Sequence, residues 1–209
     1  MSADLMPPGD IVGELARAIG REHVLSDPAD REFYAMDVYS SRELPLAVVR
    51  PGSTAELQAI VRLAAGAGVA LVPRGGGASY TDGYLPVTPR SLLVDTSRLN
   101  RIVEINTGDM YVTVEPGVTW NELWQALKAR GVRTPFWGPF SGLRATVGGS
   151  ASQNSASLGA GSYGISADAI LGFEIVLANG EILRTGAFAA ANGKPFFRWY
   201  GPDLTGLFC

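Results

Sequence analysis

Apolar positions along this chain follow two different periods, and the change from one to the other divides it. Ile11, Val12, Leu15 and Ile19 keep helical spacing, so a short helix is expected between a cap at Asp10 and Gly20. The polar stretch from Ser26 to Asp37 carries no period. Leu46 to Val49 then reads as a strand, and Pro51-Gly52 turns it into a second helix. Ser53 and Glu56 have capping-box spacing there, Leu57, Ile60, Val61 and Ala64 form the buried stripe, and Gly66 and Gly68 end it. A strand from Val69 to Val72 follows at once and runs into Pro73-Arg74-Gly75-Gly76-Gly77-Ala78-Ser79. Strand, helix and strand over so short a span predict a right-handed parallel crossover.

Beyond that junction the pattern alternates. Leu92 to Asp95, Arg101 to Ile105, and Met110 to Val114 after an Asn106-Thr107-Gly108 turn are expected to be antiparallel strands. Thr119 and Glu122 repeat the capping-box spacing ahead of Trp120, Leu123, Trp124 and Leu127, with Gly131 closing that helix. A loop rich in Pro and aromatic residues, Thr134 to Phe140, leads to a second glycine tract, Thr146 to Gly164. Phe173 to Leu177 and Glu181 to Arg184 flank Asn179-Gly180, a strong hairpin signal. The expected class is α+β. A small parallel β-α-β lobe would occupy about residues 1–90 and a larger, mainly antiparallel lobe with flanking helices about 91–209.

Composition narrows the function. A formal charge of -3 with no basic run leaves no electrostatic footprint for nucleic acid or an anionic membrane. The single cysteine, Cys209, and the single histidine, His23, exclude an intrachain disulfide framework and His- or Cys-rich metal sites. His23 is expected at the surface or in packing, and Trp120, Trp124 and Trp137 in the core. Acids at strand ends, such as Asp95, Glu104 and Glu115, are expected to be solvated or to cap turns. Residues 1–10 lack the charged and apolar regions of a signal peptide, and no apolar run reaches the roughly 18 residues of a spanning helix. A soluble protein of a reducing compartment, the cytoplasm, is the expectation.

Glycine is 26 of 209 residues, concentrated in the two tracts. Consecutive glycines just past the carboxyl end of a parallel strand free several backbone N–H groups to converge on one anion, with Arg74 to neutralise charge and Ser79 to donate once more. The plainer alternative is a tight turn, with Arg74 paired to a surface acid. In the second tract small residues would let a flat ligand lie on backbone, while Gln153, Asn154 and Ser162 supply directed contacts. Gly159-Ala160-Gly161-Ser162-Tyr163-Gly164 fits G-x-G-x-x-G, but no apolar strand precedes it and a hairpin follows, which argues against a Rossmann site. There is no G-x-x-x-x-G-K-[ST] stretch, so a P-loop nucleotidase is excluded.

The order of six segments is specific: Val49 to Glu56, Pro73 to Tyr80, Val114-Glu115-Pro116-Gly117-Val118, Thr146-Val147-Gly148-Gly149, Gly159 to Gly164, and Glu174 to Glu181. Over about Leu46 to Arg184 the chain resembles the FAD-binding domain of the vanillyl-alcohol oxidase and para-cresol methylhydroxylase family of flavoprotein oxidoreductases. The resemblance implies two lobes with FAD extended between them and its pyrophosphate on Arg74 to Ser79. It assigns cofactor contacts to Pro73, Arg74, Gly75, Gly76, Gly77, Ala78, Ser79, Tyr80 and Gly117, and to Gly148, Gly149, Gln153, Asn154, Gly159, Ser162, Tyr163 and Gly164. Several members attach flavin through a His in the first glycine loop, where this chain has Ala78, so dissociable FAD is expected.

The implied activity is hydride transfer to flavin from a small alcohol, phenol or 2-hydroxy acid. Two alternatives stand beside it: a non-catalytic FAD-binding fragment, and a binder of another phosphate-bearing nucleotide. No catalytic residue and no metal ligand is assigned. Members continue past a segment like Gly201 to Phe208 into a closing strand and a substrate or cap domain, so a truncated chain is expected, or one whose cap comes from a partner. A missing strand would leave apolar surface near Phe196, Phe197, Trp199 and Phe208, favouring homo-oligomers.

Overall fold

The structure is a computed structural model and describes residues 8–135, 138–190, 193–194 and 203–209. Trp137, Phe196, Phe197 and Trp199 lie outside the described residues. The chain divides into two compact units, one of Met1–Arg98 with Val176–Glu181, the other of Leu99–Ile175 with Ile182–Cys209.

In the first unit α1, Pro8–Ile19, begins two residues ahead of Asp10, which therefore lies inside the helix and is not its cap. Ile11, Leu15 and Ile19 form its buried stripe. The polar stretch that carried no period contains a helix, α2 (Pro28–Tyr34): Asp27 accepts from the Ala29 amide at 2.9 Å, and Pro28 opens the first turn. In α3, Thr54–Ala67, the Ser53 hydroxyl accepts from the Glu56 amide, while the Glu56 carboxylate returns to the amide of Gly52, one residue before the cap.

A four-stranded sheet follows the order β1 (Val24–Leu25), β2 (Ala47–Val49), β4 (Ser91–Asp95), β3 (Ala70–Arg74). β1 is antiparallel to β2, whereas β4 is parallel to both β2 and β3 and lies between them. The expectation that Leu92 to Asp95 opens an antiparallel set is thus corrected. All five residues of β4 are buried, and an unbroken run such as Leu92-Leu93-Val94 is what a strand covered on both faces requires. α1 and α3 pack over Ala47, Val49, Leu92 and Val94 in one core. Each large side chain buried there contributes roughly 1.5–3 kcal/mol. β3 is an edge strand, which accommodates Pro73 and its missing N–H.

In the second unit β5 (Ile102–Asn106) and β6 (Tyr111–Val114) form the expected antiparallel pair, with a register irregularity between Ile102 and Glu104. Thr119 and Glu122 make a reciprocal capping box at the head of α4, Trp120–Lys128. Val118, Trp120, Leu123 and Leu127 pack with Ile102, Ile105, Val112 and Val114, which puts Trp120 in the core as expected. The second glycine tract folds into two short helices that its composition did not announce, α5 (Val147–Ser152) and α6 (Ala160–Tyr163), and a third, α7 (Ser166–Ala169), follows it. β7 (Glu174–Val176) and β8 (Ile182–Arg184) form the hairpin around Asn179-Gly180. Its turn counts with the first unit, where Gln58 and Arg62 both donate to the Gly180 carbonyl. The class is α+β, with one mixed sheet and separate antiparallel pairs.

Candidate cofactor site

β3 delivers Arg74 to its carboxyl end and the chain then bends through Gly75, Gly76 and Gly77. The backbone amides of Gly75, Gly76, Gly77 and Ala78 find no acceptor among the described residues, so four consecutive donors stand available. Two of the loop's carbonyls are used internally. The Tyr84 hydroxyl donates to Gly77 O (3.1 Å) and Ser79 O (3.0 Å), and Ser79 and Thr81 share a hydroxyl contact of 2.9 Å. Such a division, carbonyls tied inward and amides unsatisfied, makes a cradle for an anion with several oxygens.

Arg74 does not reach outward as a surface cation would. It is 7% exposed, its guanidinium donates to Tyr34 O (3.0 Å) and Met36 O (3.1 Å), and it lies 4.4 Å from the Tyr84 ring centroid and 5.4 Å from that of Tyr34. Gly77 has φ +63°, and a Cβ there would meet Arg74 Nη2 at 2.4 Å, so backbone and side chain both demand glycine. Beneath the same strand ends Asp95 accepts from the Tyr34 hydroxyl (2.9 Å) and the Ser97 amide (2.8 Å). Asp95 caps a turn as expected but is buried rather than solvated, at 4% exposure. Burial, and then the charge of Asp95, push the Tyr34 phenol up to about 12. Burial likewise raises Tyr84.

The far side of the loop is tied to the segment after α2. Asp82, at φ +59°, donates its amide to Asp37, and its carboxylate accepts from Ser40 and Arg42. The amides of Tyr39 and Ser40 hold the Asp37 carboxyl below its ordinary range. Tyr80 is exposed and meets Tyr39 edge-on, with ring centroids 6.3 Å apart.

In the second unit the predicted contacts lie among internal bonds. The Gly117 amide donates to Leu99 O (2.7 Å), that of Gly148 to Pro116 O (3.0 Å) and that of Gly149 to the Thr146 hydroxyl (3.1 Å). A Cβ on Gly148 would come within 2.5 Å of Pro116, which accounts for that glycine by close packing. Asn154 adopts a left-handed conformation and accepts from the Ala167 amide at the start of α7. Gly159 O accepts from the amides of Ser162 and Tyr163, and a Cβ on Gly164 would run into the Asp168 carboxylate, which holds the Ile165 amide. Gln153 and Ser162 are exposed, and the Tyr163 hydroxyl accepts from Arg133.

Sequence reasoning named the glycines of the cradle but missed Tyr34, Met36, Asp37, Asp82 and Tyr84. The segment from Tyr34 to Asp37 is some forty residues from Arg74, and no local spacing could join them. Among the described residues no group of three His, Cys, Asp or Glu is placed to hold a metal, and no helix is long and apolar enough to cross a membrane.

A parallel-strand glycine loop with free amides over a buried guanidinium, in this α+β frame, suits a ligand that carries a diphosphate, as nucleotide cofactors do. The family model described as "FAD binding domain" matches residues 45–186, and the chain belongs to that family. It is 33% identical over 200 residues to the glycolate oxidase subunit GlcD of Bacillus subtilis (strain 168), covering 95% of this chain and 41% of that protein. It is 39% identical over 163 residues to D-2-hydroxyglutarate dehydrogenase of Escherichia coli (strain K12), covering 75% of this chain and 15% of that one. Among solved structures, 4-ethylphenol oxidase from Gulosibacter chungangensis superimposes with a TM-score of 0.79 at 28% identity, over 98% of this chain and 40% of the other. The chain therefore spans well under half the length of these relatives.

Proposed function

We propose that this chain is the FAD-binding part of an FAD-linked oxidoreductase that oxidises a small 2-hydroxy acid, alcohol or phenol. The row of free amides from Gly75 to Ala78 carries the reading, because it offers a diphosphate several donors at once. Bound flavin would supply the hydride acceptor. The chain's own share is to hold and orient the cofactor: Gly75 to Ala78 for the pyrophosphate, Pro73 and Tyr80 flanking it, and Gln153, Ser162 and Tyr163 as further polar contacts. Gly117, Gly148, Gly149, Asn154, Gly159 and Gly164 then act by shaping backbone. The names of two relatives, a glycolate oxidase subunit and a D-2-hydroxyglutarate dehydrogenase, favour a 2-hydroxy acid as substrate.

FAD is held without a covalent bond in this proposal. Ala78 offers no nucleophile, and His23 sits beside β1, three strands from β3 and hence roughly 14 Å away at ordinary strand spacing. The proposal also includes a cytoplasmic location, suited to the single reduced Cys209, and a cap supplied by further chain or by a partner. An absorbance spectrum taken before and after acid precipitation tests it. Flavin absorbance released into the supernatant is the expected result. Absorbance retained in the pellet would refute the non-covalent mode, and a chain that stays colourless and does not change FAD fluorescence would refute the cofactor assignment.

A further inference from the structure

We infer that Arg74 is a positioning residue, which sets the glycine loop from beneath and acts on the cofactor only through that loop. This rests on the FAD reading above for its purpose, though not for its geometry. Direct contact with phosphate would need the guanidinium to face outward. Instead it is buried, with Nη1 donating to both Tyr34 O and Met36 O and Cζ 4.4 Å from the centroid of the Tyr84 ring. Both acceptors are backbone carbonyls at the end of α2, so Arg74 anchors the strand end to a segment that side-chain changes alone cannot remove.

Two links carry this anchor to the loop. Arg74 fills the space under Gly77, where a Cβ would lie 2.4 Å from Nη2, and the resulting wedge holds the backbone at φ +63°. Arg74 also orients Tyr84, whose hydroxyl then holds the carbonyls of Gly77 and Ser79. The bond to Gly77 O fixes the peptide plane that it shares with the Ala78 amide, so that amide points away from Tyr84, while the amides of Gly75 to Gly77 find no acceptor among the described residues. Lysine cannot replace arginine here: it keeps the charge but lacks the flat, weakly hydrated guanidinium that lies over tyrosine.

The test has one arm with FAD and one without. In FAD titrations Arg74→Lys and Tyr84→Phe should each weaken binding about tenfold, since each removes one or two hydrogen bonds that hold the loop. The double variant should be no weaker than the poorer single one, because both act through one conformation. Wild-type affinity in both single variants, or fully additive losses, would overturn the inference. In the cofactor-free chain the unfolding midpoint is compared for Gly77→Ala alone and in an Arg74→Gln background. The glycine change should cost clearly less once the shorter side chain vacates the space, and equal costs would overturn the inference. If the wild-type chain fails to bind FAD, the cofactor reading fails, and the midpoint comparison still decides the role of Arg74.

Discussion

Both glycine tracts looked alike in composition, yet the structure uses them in opposite ways. In the first, Gly75 to Ala78 keep their amides unsatisfied while a buried arginine lies under Gly77 and a tyrosine hydroxyl bonds the carbonyls of Gly77 and Ser79. In the second, the amides of Gly148, Gly149 and Gly164 are bonded to Pro116, Thr146 and Ala160, and the missing Cβ of Gly148 admits the Pro116 ring. A glycine can thus be present because something outside must approach the backbone, or because the protein itself already has. Hydrogen-bond accounting separates the two cases, where residue counting cannot.

The contrast can be broken by substitution. Gly77→Ala should have the largest effect on FAD affinity: the left-handed backbone costs about 1–2 kcal/mol and the clash with Arg74 adds to it, so titration should show a loss beyond tenfold. Gly148→Ala should read out differently, costing roughly 1–3 kcal/mol in chemical denaturation through overpacking against Pro116. The affinity of the folded fraction for FAD should change far less than in Gly77→Ala. Equal affinity losses in the two variants would erase the distinction. Gly161→Ala, with open space around its Cβ, should stay within about 0.5 kcal/mol of the parent and serves as the neutral reference.

Acid sharpens the comparison from another side. Asp37 has a folded pKa below its unfolded value, so the stability it lends the loop is fully present above the ordinary carboxylate value of 3.8 and is lost as pH falls through the lower folded one. FAD affinity should therefore hold flat from neutrality down to that value. Asp37→Asn should weaken binding at neutral pH, and a variant indistinguishable from the parent would remove Asp37 from the loop's support. A small effect is expected at Arg101–Glu115 in the second unit. Arginine there is well exposed and solvent screens the pair, so Arg101→Ala should leave the denaturant midpoint close to that of the parent.

Local chemistry was the legible part of the fold. Thr119 with Glu122, Asn179 with Gly180, and the stripe of α3 all announce themselves within a few residues. Asp27-Pro28 carries an equally local signal for α2, a cap followed by a helix-opening proline, in a polar stretch to which no element is assigned from the sequence. Placement of β4 between β2 and β3 was hidden because pairing partners some 45 residues apart leave no mark on spacing, although its unbroken burial left one on composition. The cradle's glycines were readable for the same reason as the caps. Its supports, Tyr34, Met36 and Tyr84, come together only once the sheet exists, and nothing local marks Arg74, expected to neutralise a bound anion, as a buried side chain that bonds Tyr34 O and Met36 O.

The turn at Gly180, which Gln58 and Arg62 grip from α3, has a consequence for how the molecule is born. Its first unit is discontinuous: everything up to Arg98 can emerge from a ribosome, yet the last piece, Val176–Glu181, is still to be made. At 5–20 residues per second that piece arrives roughly 4–17 s later. In that interval the sheet and its glycine loop can form while the Gln58 and Arg62 side chains still lack their carbonyl. The second unit is being threaded out meanwhile, and the last contact of the first unit waits on a hairpin whose two strands belong mostly to the second.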